Sequence, residues 1–309
     1  MPLRFSVQIP TAPDLSTWTG KVRRAESSGF YSVSVPDHLG PSLPQLAPLV
    51  ALAAASPVTS TLRLAITVLN NDLRHPVMTA KEVATLDVLS GGRVDLGLGA
   101  GWLEEDYAPT TGVARWDPAG VRVERLAESV GLLRRLLAPG SEEAVTFRGR
   151  HYSVEGYRPS PTPVQDPIPL LIGARGRRML GLAAREAQIV SILAGPGDGG
   201  RGQAGFEQQL AWIEEAGGRT RPDLSVGLRI PFGRVCRPGQ SSSSAARETG
   251  APLGMTAEEV IASPFFLVGD VSAARDQLVE TTERYDISYI TLSESTAWPL
   301  ADVVAELSH

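Results

Sequence analysis

A single cysteine, Cys236, stands in a chain of 309 residues, so no intrachain disulfide can form. Positive charge is not in excess either. The 29 Lys and Arg are outnumbered by 34 Asp and Glu, which gives a net charge of −5 and a pI near 5.5. That balance gives no support to nucleic acid or an anionic membrane surface as a partner. No apolar run reaches the roughly 20 residues a bilayer span requires. The opening MPLRFSVQIP enters a strand pattern without a basic segment followed by a long apolar stretch. The expectation is a cytoplasmic protein that works on a small molecule. No grouping of His, Cys and carboxylates has metal-ligand spacing, so no metal is expected. No Gly-x-Ser-x-Gly elbow offers a serine nucleophile.

The informative stretch runs from Thr67 to Trp102, TVLNNDLRHPVMTAKEVATLDVLSGGRVDLGLGAGW. It reads as the end of a buried strand, a polar rim, a helix, a Ser-Gly-Gly turn and a second strand. Alternation along that second strand puts Val94, Leu96, Leu98 and Ala100 on one face and Asp95, Gly97, Gly99 and Gly101 on the other. A row of glycines weakens a strand unless something lies against it.

Strand and helix signals alternate along the rest of the chain. Strands are expected at Leu3 to Ile9, Tyr31 to Pro36, Leu62 to Leu69, Val94 to Leu98, Leu170 to Ile172, Gln188 to Ile192, Leu224 to Ile230 and Ile287 to Leu292. Helices are expected at Leu15 to Ser28, Pro44 to Ala55, Pro76 to Leu89, Arg177 to Arg185, Phe206 to Ala216 and Pro299 to Leu307. Another helix should follow a cap at Asp117-Pro118 and stop at Pro139-Gly140. Thr256 and Glu259 form a capping box, and Ser272 is the expected cap of a helix ending at Tyr285. Residues 141–167 read as a long connection carrying a hairpin, TFRGRHYSV. The glycine-rich 195–205 and the serine-rich Arg237 to Gly254 read as flexible excursions. Eight strands alternating with helices imply one α/β domain, a (β/α)8 TIM barrel over residues 1–309. Its insertions, near 139–169, 195–205 and 232–265, are expected as loops at the C-terminal face.

Active sites of such barrels gather where the strands end. The polar residues there are Gln8, Asp37, His38, Asn70, Asn71, Trp102, Arg175, Arg177, Ser191, Arg229, Ser293 and Glu294. GLGAG lacks the third glycine of a dinucleotide fingerprint. The turn Gly173-Ala174-Arg175-Gly176-Arg177, opening a helix, suits an anion, because backbone amides at a helix N-terminus favour negative charge.

The second-strand ending VPDH, the block LRHPVMTAKEVATLDVLSGGRVDLGLGAGW and IPLLIGARGRRMLGLAAREAQIV together resemble the bacterial-luciferase-like flavin and deazaflavin oxidoreductases. The rim from Asn70 to Pro76, the LDVLSGGR turn and the ending SPFFLVGD...ISYITL are similar to an F420-dependent branch of that superfamily. The resemblance implies an isoalloxazine-type ring in the barrel mouth, with the glycine face of Gly97, Gly99 and Gly101 giving it room. It implies a non-proline cis peptide at Thr67–Val68, and contacts to the cofactor from His38, Thr67, Val68, Asn70, Gly99, Gly101 and Trp102. The phosphate would sit at Gly173, Ala174, Arg175, Gly176 and Arg177.

His38 and Asp37 are the candidate catalytic pair, since imidazole titrates near physiological pH. The expected activity is F420-dependent hydride transfer to or from a small organic substrate, reducing an activated C=C or C=N bond in secondary metabolism. Glucose-6-phosphate dehydrogenases of the superfamily carry a glutamate where Trp102 stands and a tryptophan where Ser42 stands, which argues against a sugar phosphate. Two alternatives are an FMN-dependent monooxygenase using reduced flavin and oxygen, and a non-catalytic flavin-binding barrel. Members are commonly homodimers, so a homodimer is expected.

Overall fold

The computed structural model describes residues 3–110, 112, 114–138, 144–194, 201–236 and 239–308. Its strands are β1 (Arg4–Gln8), β2 (Ser32–Val35), β3 (Arg63–Ile66), β4 (Leu69–Asn70), β5 (Val94–Gly99), β6 (Val145–Arg148), β7 (Ser153–Tyr157), β8 (Leu170–Ala174), β9 (Ile189–Ile192), β10 (Ser225–Ile230), β11 (Phe232–Val235), β12 (Phe266–Gly269) and β13 (Tyr289–Ser293). The helices are α1 (Leu15–Ser27), α2 (Pro48–Ala55), α3 (Pro76–Ser90), α4 (Ala119–Leu136), α5 (Arg177–Glu186), α6 (Gln203–Glu215), α7 (Ser242–Gly250), α8 (Ala257–Ala262), α9 (Val271–Tyr285), α10 (Glu294–Ala297) and α11 (Ala301–Leu307). One sheet runs β3-β2-β1-β13-β10-β9-β8-β5-β4, and a pairing of β3 with β5 closes it. With β3 and β4 forming a single interrupted stave, this is the expected eight-stranded parallel (β/α)8 barrel. No described helix is long and apolar enough to cross a membrane.

The chain forms two compact units, one of residues 1–9, 24–33 and 173–309, the other of 10–23 and 34–172. In the first, β1, β13, β10 and β9 pair in parallel, with Phe5 beside Ile290 and Leu228 beside both Ile290 and Ile192. These side chains are fully or almost fully buried. Phe206 meets Phe265 and Tyr285 edge to face at 5.5 and 5.1 Å, which seals α6 and α9 together.

In the second unit, Leu64, Ile66, Leu96, Leu98, Val83, Leu126 and Leu133 are buried. Helix α3 begins at Pro76, whose missing N–H costs nothing there. The His75 ring accepts the Val77 amide at 3.2 Å, and Gly91 ends the helix at φ +70°. The hairpin β6–β7 is antiparallel as expected. It hangs on Glu128, whose carboxylate accepts the backbone amides of Arg150, His151 and Tyr152 at 2.7 to 3.1 Å.

Several expectations need correction. The third stave does not run unbroken from Leu62 to Leu69. Leu64 and Ala65 pair with Val94 and Asp95, while Leu69 and Asn70 pair with Leu98 and Gly99, so Ile66, Thr67 and Val68 stand opposite only Leu96 and Gly97. Helix α2 starts at Pro48 rather than Pro44. Asp117 does not cap α4; its carboxylate pairs with Arg125 instead. The serine-rich excursion holds α7, capped by Ser241. Asp270, not Ser272, caps α9 by accepting the Ala273 amide at 2.8 Å. The small parallel sheet of β11 and β12 was absent from the expected strands, because each strand is only four residues long. The capping box of Thr256 and Glu259 is present. The expected stop at Pro139-Gly140 and residues 195–200 of the glycine-rich stretch lie outside the described residues.

Candidate active site

β2 ends at Val35, and the chain turns outward through Pro36, Asp37 and His38. The Thr67–Val68 bond is cis, where the resemblance implied it. This segment fills the glycine face of β5. A Cβ on Gly97 would lie 1.8 Å from the Ile66 carbonyl oxygen, and one on Gly99 would lie 2.6 Å from Val68 Cγ2. The expected open space over Gly97 and Gly99 is therefore taken by the chain itself. Gly101, at φ +75°, faces the Tyr107 hydroxyl and the Asn70 amide, either of which a Cβ would strike.

The structure brings His38, Asp37, Thr67, Val68, Asn70, Gly99, Gly101 and Trp102 together within one unit. Asp37 is 5% exposed, and its carboxylate takes a forked ion pair from Arg74 at 2.5 and 3.2 Å plus the Asn70 amide at 3.1 Å. Oδ2 accepts both the Asn70 amide and one arm of Arg74, and Oδ1 accepts the other arm, so the Asp37 carboxylate ties the Asn70 turn to Arg74.

His38 has a partner the sequence reading missed. Its Nδ1 lies 2.7 Å from Oδ2 of Asp106. The other oxygen of Asp106 accepts the Leu39 and Gly40 amides at 2.7 and 2.9 Å. Asp106 is 1% exposed. A carboxylate only accepts, so Nδ1 carries the proton and Nε2 is the nitrogen left for chemistry. Trp102, half exposed, stands edge to face with the imidazole at 5.5 Å.

Behind this pair lies a second buried network. Asn70 Oδ1 accepts the Asp72 amide at 3.1 Å and the Tyr107 hydroxyl at 3.4 Å, and Asp72 pairs with Arg125 at 2.6 Å. Burial raises the Asp72 pKa against the pull of Arg125, and burial followed by the Asp72 charge raises that of Tyr107. The Asn70 Nδ2 donor is buried without a partner among the described residues. Such an orphaned donor suits a bound acceptor, which fits a cofactor-contacting role.

Gly173, Ala174, Arg175, Gly176 and Arg177 lie in the other unit, where β8 passes into α5. Gly176 is the N-cap and lacks a side chain to satisfy the first amides, and no acid stands in the first turn. Gly176, Arg177 and Arg178 are exposed, and Arg177 pairs with Glu215 at 2.9 Å. An uncapped, arginine-flanked helix start fits a phosphate.

The pattern of the luciferase-like monooxygenase family matches residues 1–259. The chain belongs to that family. Among its luciferase-like relatives, the F420-dependent glucose-6-phosphate dehydrogenase of Intrasporangium calvum is 31% identical over 244 residues, 76% of this chain and 70% of that one. An F420-dependent secondary alcohol dehydrogenase in complex with an F420-acetone adduct aligns over 99% of this chain and 98% of its own, with a TM-score of 0.76 and 19% identity. Monooxygenase RslO1 from Streptomyces bottropensis aligns over 99% and 96%, with a TM-score of 0.73 and 21% identity. At such identities the structural likeness speaks for the fold alone.

Of the residues that hold the candidate site together, sequence reasoning missed Asp106, Arg74 and Arg125. The available signal for Asp106 was the acidic run Glu104-Glu105-Asp106 directly after the glycine strand.

Proposed function

We propose that the protein is an oxidoreductase that uses coenzyme F420 to exchange a hydride with a small organic substrate, acting as a reductase of activated C=C or C=N bonds. The observation that carries the chemistry is the buried Asp106 holding His38 with Nε2 available. The names of the relatives at 31% identity support the cofactor. When bound, F420 supplies a two-electron hydride donor or acceptor at its deazaflavin ring.

The chain's own residues supply the rest. Asn70 and Trp102 would border the ring, and His38 Nε2 would give or take the proton that accompanies hydride transfer; the amides opening α5, with Arg175 and Arg177, suit a phosphate. Asp106 sets the tautomer and stabilises an imidazolium. Trp102, in place of the glutamate of the sugar-phosphate enzymes, brings an apolar edge rather than a charge to His38. Ser42, in place of their tryptophan, donates to Glu105. Both departures favour a substrate other than a sugar phosphate.

The test is a titration of the purified protein with F420 and, separately, with FMN, followed by tryptophan quenching. Tighter binding of F420 is expected, followed by anaerobic turnover of its reduced form with an activated alkene or imine. Tighter binding of FMN, or binding of neither, would overturn the reading.

A further inference from the structure

Arg229, near the end of β10, is a cation without a counter-charge among the described residues. Its Nη2 donates to Gln8 Oε1 at 2.7 Å, at the end of β1. No described carboxylate forms an ion pair with it. Burial lowers its pKa, and no neighbouring negative charge opposes that shift. A half-buried guanidinium that donates to a neutral amide is a costly arrangement for a structural role.

The surroundings point the same way. Strand register sets Ser6 beside Thr291 and Thr291 beside Arg229, one row across β1, β13 and β10. Both hydroxyls, Ser6 Oγ and Thr291 Oγ1, are buried without a partner among the described residues. The row therefore holds one positive charge and two unsatisfied hydroxyls, with Ser6 and Thr291 at the middle of β1 and β13 and Arg229 one residue from the end of β10, the end toward which substrates of this fold bind. All four residues belong to the same compact unit.

We infer that Arg229, with Gln8 beside it, is the recognition element for a carboxylate on the substrate. A planar guanidinium meets a carboxylate with two parallel hydrogen bonds. One cation balances one negative charge, whereas a phosphate dianion would keep an uncompensated charge in a desolvated wall. The substrate class is then an unsaturated organic acid. This assignment of substrate rests on the oxidoreductase reading above, but anion binding at Arg229 does not, and the two can fail separately.

The experiment measures binding of acetate and benzoate, with benzamide as the neutral control, by calorimetry on the protein with and without F420. Wild type should bind benzoate at least tenfold more tightly than benzamide. Arg229→Met should weaken benzoate by about 10- to 100-fold, the loss of a charge-assisted pair, and erase the preference over benzamide while leaving F420 affinity unchanged. Gln8→Glu keeps Arg229 but gives it an internal carboxylate, and should exclude benzoate from a protein that is at least as thermally stable. Equal binding of benzoate and benzamide, wild-type benzoate affinity in Arg229→Met, or no binding of either acid would overturn the inference. So would inorganic phosphate binding more tightly than benzoate, which would give the site to a phosphate group. A fall in F420 affinity in Arg229→Met would reassign the arginine to the cofactor. Failure of F420 to bind while benzoate still binds would sink the cofactor reading alone.

Discussion

Replacing Asp106 by Asn is the sharpest test of the His38 assignment. The change is isosteric. The Leu39 and Gly40 amides, now bound to Oδ1 at 2.7 and 2.9 Å, can keep an oxygen acceptor, so the loop fold should survive. The atom facing His38 Nδ1, however, becomes an NH2 donor at the same 2.7 Å position. Two donors cannot pair, so the ring must shed its Nδ1 proton and move it to Nε2. The nitrogen available for chemistry then points a proton outward when a lone pair is needed, and the imidazolium loses its counter-charge. Exchanging a charge-assisted hydrogen bond, worth about 1.5 to 3 kcal/mol, for a neutral one, worth about 0.5 to 1.5 kcal/mol, costs about 1 to 1.5 kcal/mol. At 1.36 kcal/mol per decade this is about a 5- to 13-fold loss of kcat. Two assays apply: nitrogen-15 NMR of the imidazole, tractable in a chain with four histidines, and single-turnover oxidation of reduced F420. The expected result is a switch from the Nδ1–H to the Nε2–H form with a matching loss of rate. An unchanged tautomer and an unchanged rate would refute the reasoning.

Asp37→Ala should strip Arg74 and the Asn70 amide of their acceptor and lower stability by about 3 kcal/mol, the lower end of the cost of breaking a buried pair. Loss of rate at unchanged thermal stability would instead support a catalytic role for Asp37. Gly97→Ala, whose Cβ would fall 1.8 Å from a backbone oxygen, should destabilise by about 2–3 kcal/mol in chemical denaturation, while Gly176→Ala meets nothing within 4 Å and should be near neutral. Glu128 experiences a raising effect from burial that is outweighed by the amides of His151, Tyr152 and Arg150, so its folded pKa is depressed. Its contribution is therefore present above the ordinary glutamate pKa and fades as pH falls through the lowered one. Protection of the hairpin amides against hydrogen exchange, taken relative to the intrinsic rate at each pH, should fall in acid and, in Glu128→Gln, already at pH 7. No difference between Glu128→Gln and wild type at neutral pH would refute the tether.

The barrel was legible because its staves carry their own signals: long apolar runs such as Leu62 to Leu69, closed by turn residues, and Pro76 and Gly91 bracketing a helix. What escaped had non-local causes. Nothing in TVLNN signals that three of its neighbouring residues will face two on β5, since that mismatch is settled by the pairing partner. The polar rim was legible as a list of strand ends, but Asp106 reaches His38 from 68 positions away. Asp37 was visible as a strand-end residue beside His38, but its pairing with Arg74, 37 positions away, was not. Conversely, Gln8 and Arg229, 221 positions apart, were both visible as rim residues, but their pairing was not.

The row of glycines in β5 also says something about how this protein tolerates change. Val68 Cγ2 sits where a Gly99 side chain would go, and the Ile66 carbonyl where one on Gly97 would go. Positions 68 and 99 thus divide the volume of a single side chain between two strands. A methyl group added at Gly99 can be admitted only if Val68 gives up its own, so any side chain at position 99 requires a smaller one at 68.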